Sequence, residues 1–432
     1  MIIEFLGATE DVTGSMTLVE LPEGKILIDS GLYQGINETE EKNQRDLSFQ
    51  AKEIKAILLT HAHLDHSGFL PVLFKKGFRG TIYCTKATMK LVKIILEDSA
   101  KLQENNEQSF APPLYDSADV TKTLSLLKSQ VFGEWFTILG AQISFHPAGH
   151  ILGAASIEIS CNDKTIIFSG DLGRHGDPLL SQPMKCPKAD LIVMESTYGG
   201  RMRIGDMEKE LYSFLVDVSR EKKVGIIASF AIARGQLLIH LIEQFFERHP
   251  DEKIRLVMDS PMMNEANKVY QEFIPKLKAT FLNIDIIESL GEWNSLKKKD
   301  GPLIILSSSG MLSGGRIWRH IKNWQHSLKA VLFLPGFQGM GTAGRDLSEG
   351  IRDVLSLDGE KIHWSGEILS SSAFSSHADQ SELIEWLGED NKIASVFLIH
   401  GEDRSKEELK KKLEEIGYNN VQIPYYGTKV KV

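Results

Sequence analysis

Residues 56–66 read Ala56-Ile57-Leu58-Leu59-Thr60-His61-Ala62-His63-Leu64-Asp65-His66. The first five are an apolar, β-prone run, and Ser67-Gly68-Phe69-Leu70 opens a helical pattern, so three histidines and an aspartate occupy a strand-to-helix turn. Imidazole and carboxylate are natural ligands of zinc-like cations, and side chains this close along the chain can converge on metal. One turn cannot fill two coordination spheres. Three further residues stand in matching places: His150 after AQISFHPAG (141–149), Asp171 closing KTIIFSGD (164–171) and His400 closing ASVFLIH (394–400). Each follows an apolar β-run, where open α/β sheets present ligands. Alone, any of them reads as a turn residue; with the 61–66 turn they form a set.

Outward from that turn, the first 60 residues alternate β-rich runs with turns, MTLVEL and KILIDS being joined at Pro22-Glu23-Gly24. Helical patterns are expected over 87–104 and from Ser117, where Val120, Leu124, Leu127 and Val131 recur at helical spacing behind Ser117 as cap and Asp119 as first-turn acid. Strands return from 141, the middle pair linked by Cys161-Asn162-Asp163. Strands, helices, strands, helices predicts a sandwich of sheets with helices outside. From 201 to 369 the rhythm changes to βαβ, hence a mostly parallel sheet with crossover helices. The expected domains are 1–200, an insertion over 201–369, and 370–432 completing the first.

Composition narrows the class. Of 432 residues, 42% are hydrophobic and 25% charged, with 36 Gly and 14 Pro, all ordinary for a globular protein and against a disordered or collagen-like chain. The formal charge of −9 provides no global positive field for nucleic acid, so a polyanion must be gripped locally. Three dispersed cysteines argue against a disulfide framework and fit a reducing compartment. Neither a signal-like start nor a long apolar run is visible, so a soluble, cytoplasmic protein without membrane association is expected.

The motifs HAHLDH, PAGHILGA around His150 and FSGDLG around Asp171 resemble the metallo-β-lactamase superfamily. ESTYGGR (195–201), SSSGMLSGGR (307–316), FSSHAD (374–379) and IHGE (399–402) resemble its β-CASP branch, the nucleases that include RNase J and the endonuclease subunit of pre-mRNA 3′-end cleavage. The resemblance implies an α/β fold: an αββα metallo-β-lactamase sandwich with an inserted β-CASP domain. It implies two Zn2+ ions, one on His61, His63 and His150, the other on Asp65, His66 and His400, with Asp171 bridging. The implied reaction is two-metal, hydroxide-driven hydrolysis of phosphodiester bonds in single-stranded RNA, endonucleolytic, with Asp65 among the catalytic residues. His377 would protonate the departing ribose oxygen and Glu195 would orient it. RNA is preferred to DNA because the position of His400 is His in RNA-processing members and often Val in DNA-repair ones. Rival readings are a noncatalytic RNA-binding scaffold on the same fold, a β-CASP DNA nuclease or a 5′-exoribonuclease. A homodimer is compatible with all of them.

Two loops carry the expected contact to substrate phosphate. Ser307, Ser308, Ser309 and Gly310 follow the strand LIIL and lead through Arg316 into a helix, an arrangement that suits either phosphate or an ordinary cap. The resemblance favours phosphate there, and also in GFQGMGTAGR (336–345), with Gly341 and Thr342. Ser30, Gly200 and Ser376 depart from residues common in the family without removing a ligand.

Overall fold

Alternating apolar residues build the first sheet of this protein, whose computed structural model describes residues 1–35, 39–105, 112–278, 284–296, 301–356 and 359–432. The chain divides into two units, Met1–Met202 with His377–Val432, and Arg203–Ser376. Among the described residues, the first unit holds two seven-stranded mixed sheets. In one, Ile2–Phe5, Thr17–Leu21 and Gly24–Ile28 run antiparallel, and Ile54–Leu58, Thr81–Thr85 and Leu127–Gln130 add on parallel to Gly24–Ile28. In the other, Ala141–Pro147, Ala155–Cys161 and Lys164–Phe168 form an antiparallel meander, continued in parallel by Leu191–Glu195 and Ser395–Ile399.

Residues two apart share a face. Ile3 with Phe5, Ile26 with Ile28, and Ala56 with Leu58 turn from the first sheet into the same core as Ile143, Phe145, Ile157, Ile159 and Phe168 of the second. Phe5 meets Phe397 across the gap at 5.3 Å between ring centroids. Each such side chain, buried, contributes about 1.5–3 kcal/mol. The helix Lys86–Glu104 buries Leu91, Val92, Ile95 and Leu96, one face in helical spacing. This is an αββα sandwich, as expected.

The second unit is built on a six-stranded parallel sheet, in the order Asp285–Ile286, Arg255–Asp259, Leu303–Ser307, Val224–Ala228, Ala330–Pro335 and Glu367–Ser371. Crossover helices include Arg234–Arg248 and Pro261–Phe273. No helix among the described residues is long and apolar enough to cross a membrane.

One local expectation is corrected. The helix expected from Ser117 through Val131 stops at Leu124, because Leu127–Gln130 satisfies the open edge of Thr81–Thr85 as a parallel strand, and Val131 is 58% exposed. Its cap is Asp116, which forms a reciprocal capping box with Asp119. Asp379 caps the helix Gln380–Leu387, with Glu382 bonded back to it.

Candidate metal centre

The carboxyl ends of five strands in the first unit deliver the cluster: Ile54–Leu58 leads to His61, Ala141–Pro147 to His150, Lys164–Phe168 to Asp171, Leu191–Glu195 ends on Glu195, and Ser395–Ile399 leads to His400. The seven residues expected as ligands come together in two groups. In the first, His63 Nδ1 lies 3.1 Å from His61 Nε2 and 3.2 Å from His150 Nε2. Asp171 Oδ2 is 3.5 Å from both of those Nε2 atoms. In the second, His66 Nε2 and His400 Nε2 are 3.1 Å apart. Asp171 Oδ1 lies 3.3 Å from the former and 3.7 Å from the latter, and Asp65 Oδ2 lies 3.4 Å from His400 Nε2.

Ligands ~2.0–2.1 Å from a tetrahedral centre are roughly 3.4 Å from one another, so both groups have the spacing of cation ligands. An orphaned atom agrees with that reading. Asp171 Oδ1 is buried without a hydrogen-bond partner among the described residues. An orphaned carboxylate oxygen in a dry interior is costly, and a cation between the imidazoles would satisfy it. The residues present fit two metal ions.

Electrostatics separates the groups. Burial, then the charge of His66, holds His61 well below the usual imidazole range, and burial followed by His377 does the same to His150. Burial brings His63 down to about 4. Burial opposes the charged form of His66 too, yet the Asp171 and Asp29 carboxylates more than offset it and raise that imidazole well above its ordinary value. His400 is raised against burial by Asp171 and by its bond to Asp65. Burial likewise works against the ionised form of Asp171, but His400, His66 and His61 keep it well below the usual carboxylate range.

Surrounding groups orient the ligands, as metal sites require. Asp29, absent from the sequence expectations, accepts from the Thr60 backbone N–H and hydroxyl at 2.7 and 2.8 Å, and its Oδ2 is 2.7 Å from His66 Nδ1. Thr60 Oγ1 is also 3.1 Å from His61 Nδ1, and Thr197 Oγ1 is 3.1 Å from His400 Nδ1. The only sequence signal for Asp29 was its place at the end of KILID. Gly31 lets the backbone pass: a Cβ there would sit 1.6 Å from the Asp65 carbonyl oxygen.

His377 and Glu195 adjoin this cluster. Glu195 is buried; its Oε1 accepts from the Leu172 N–H at 2.7 Å and lies 3.1 Å from His377 Nδ1, while Oε2 accepts from Thr197 N–H. The His377 ring is 4.4 Å from that of His150, centroid to centroid, and its side chain is 18% exposed. Ser307, Ser308, Ser309, Gly310, Arg316, Gly341 and Thr342 lie in the second unit, at the carboxyl end of its sheet. Much of their polarity is spent internally. Arg316 Nη1 donates to Asp259 at 2.8 Å, Ser307 Oγ to the Asp259 carbonyl, Thr342 Oγ1 to the Gly339 carbonyl, and the first helical N–H, of Ile317, goes to the Ser308 carbonyl.

The family model described as the metallo-beta-lactamase superfamily matches residues 9–221, the Beta-Casp domain 235–347, and the Zn-dependent metallo-hydrolase RNA specificity domain 362–424. "Ribonuclease TTHA0252" of Thermus thermophilus is 32% identical over 99% of this chain and 99% of its own. "Cleavage and polyadenylation specificity factor 73" of Drosophila melanogaster is 27% identical over 95% of this chain, which spans 61% of that protein. The fold recurs in a solved structure from Enterococcus faecalis described as a protein of unknown function, at a TM-score of 0.58 and 14% identity over 99% of both chains. With its sandwich, its paired His and Asp groups and a relative at this identity along its whole length, the chain belongs to the metallo-β-lactamase superfamily of metal-dependent hydrolases, in its β-CASP branch.

Proposed function

We propose that this protein is a zinc-dependent ribonuclease that hydrolyses phosphodiester bonds within single-stranded RNA. One observation carries the reading: the two oxygens of Asp171 face separate sets of imidazoles, the arrangement a bridging carboxylate needs. His61, His63 and His150 would hold one ion, Asp65, His66 and His400 the other, and Asp171 both. Two zinc ions held there supply Lewis acidity, bringing the pKa of water near neutrality and neutralising charge on a phosphodiester. RNA as substrate is supported by the relative named a ribonuclease and by the match to an RNA specificity domain.

The remaining steps fall to the chain's own side chains. With Glu195 Oε1 accepting from Nδ1–H, the His377 tautomer is set so that Nε2 is the atom left to exchange a proton with substrate. Its partial exposure lets it reach the ribose oxygen that departs. Glu195 has a second duty, because its bond to Leu172 N–H fixes the backbone next to Asp171. In the second unit, Ser309 is the hydroxyl we assign to phosphate, its Oγ having, among the described residues, only the exposed Ser313 hydroxyl, at 3.3 Å, as partner. Gly310 and Gly341 would let backbone approach it, with Ser307, Ser308, Arg316 and Thr342 shaping the two loops.

The test is incubation of the purified protein with end-labelled RNA and matched DNA, with and without chelator. Internal RNA fragments that vanish on chelation are expected. Terminal mononucleotides alone, equal cutting of DNA, or cleavage indifferent to chelator would reject the reading.

A further inference from the structure

The helix Asp403–Glu415 starts three residues after His400 and buries two polar side chains in its first turn, Ser405 and Lys406. Among the described residues neither makes a hydrogen bond to a ligand atom of either group. Each instead holds one of the two loops that bracket His400. Ser405 Oγ lies 2.7 Å from the Ser196 carbonyl oxygen and 3.1 Å from that of Thr197, and accepts from Gly200 N–H at 3.2 Å. Lys406, 1% exposed, donates its ammonium to the Thr9 carbonyl and pairs at 2.9 Å with the exposed Asp403.

Those loops are what His400 hangs from. It is a non-glycine residue at φ 53, in the left-handed region, a conformation that persists only where the surroundings over-determine it. Its N–H donates to the Ala8 carbonyl at 2.6 Å, next to the carbonyl that Lys406 grips. Its own carbonyl accepts from Ser196 N–H and Thr197 Oγ1, and Thr197 Oγ1 also meets its ring Nδ1, beside the carbonyls that Ser405 grips. A buried ammonium is expensive unless its donors are used. A methionine of similar length would fill the space without that cost, but it would leave the Thr9 carbonyl unheld.

We propose that Ser405 and Lys406 are positioning residues for His400, and that they set the affinity of the second metal position, Asp65, His66 and His400, without setting that of the first. The proposal rests on the two-ion reading above. Outer partners of metal ligands typically contribute 10- to 100-fold in affinity. Ser405 and Lys406 act one bond further out, through backbone carbonyls, so Lys406→Met and Ser405→Ala should each weaken the second Zn2+ equivalent by up to about 10-fold, the lower end of that range, and leave the first unchanged.

The experiment is Zn2+ titration of the metal-stripped full chain against a chelating dye, with metal content by mass spectrometry and thermal unfolding followed in parallel. A general loss of structure would weaken both equivalents together. A selective loss of the second in both variants is the expected result. Equal weakening of both equivalents, or two unchanged equivalents, overturns the proposal while the wild type still binds two. A wild type that takes up a single Zn2+ overturns the two-ion reading and the proposal with it.

Discussion

Each unit buries a carboxylate against imidazole, and the two sites differ in whether the charges close on themselves. In the second unit, Asp259 receives Arg316 Nη1 on one oxygen at 2.8 Å and faces His320 Nε2 with the other at 2.9 Å. Each of its oxygens has a partner. In the first unit, Asp171 faces four imidazoles, its Oδ1 lacks a hydrogen-bond partner among the described residues, and two of those imidazoles are raised while two are lowered. A completed buried charge set is costly to break; an incomplete one calls for a charge from outside.

The sharpest way to break this contrast is Asp171→Ala. Both metal positions should be weakened and cleavage should become undetectable; unchanged zinc content with normal cleavage would sink the bridging role. His377→Ala ranks next: both ions should stay bound while the rate falls about 10²- to 10⁴-fold, the usual worth of a general acid. Loss of zinc in that variant would mean that His377 is a ligand.

Asp259→Ala tests the other side. Removing one member of a buried ion pair costs about 3–5 kcal/mol, read from the urea transition, with metal content untouched. Burial opposes the charge of Asp259, but His320 and Arg316 outweigh it and depress its carboxyl. Its contribution should then be present at neutral pH and disappear as the pH falls through that depressed value. A wild-type advantage that grew on acidification would contradict the pairing.

The smallest effect is in protons. Against burial, the Asp171 and Asp29 carboxylates raise His66, and Asp171 with Asp65 raises His400, so without metal the second group favours protonation, yet only neutral imidazole can ligate. Zinc uptake should release protons, and affinity should climb with pH. An indicator dye in weak buffer reads this, and uptake without release would show the second group already neutral.

Much of the candidate site was legible because its residues stand just past strand ends, where a short motif and an abrupt end of an apolar run coincide. Asp29 was not, since a lone aspartate after KILI is indistinguishable from a turn residue until Thr60 and His66 are seen against it. The commitment of Arg316 was equally hidden: its partner is 57 residues away on a neighbouring strand, and no local pattern joins them. The helix expected through Val131 failed for a related reason, since the demand of an open sheet edge outweighed a periodicity that suited either structure.

Synthesis runs in one direction, and the pairing of Ser395–Ile399 with Leu191–Glu195 gives that a consequence. A nascent chain that has emerged past residue 171 already carries His61, His63, His150 and Asp171, the whole of the first group. It lacks His400 until the whole second unit has been translated. On the proposed reading, a growing polypeptide would lack its second metal position until the strand that leads to His400 arrives.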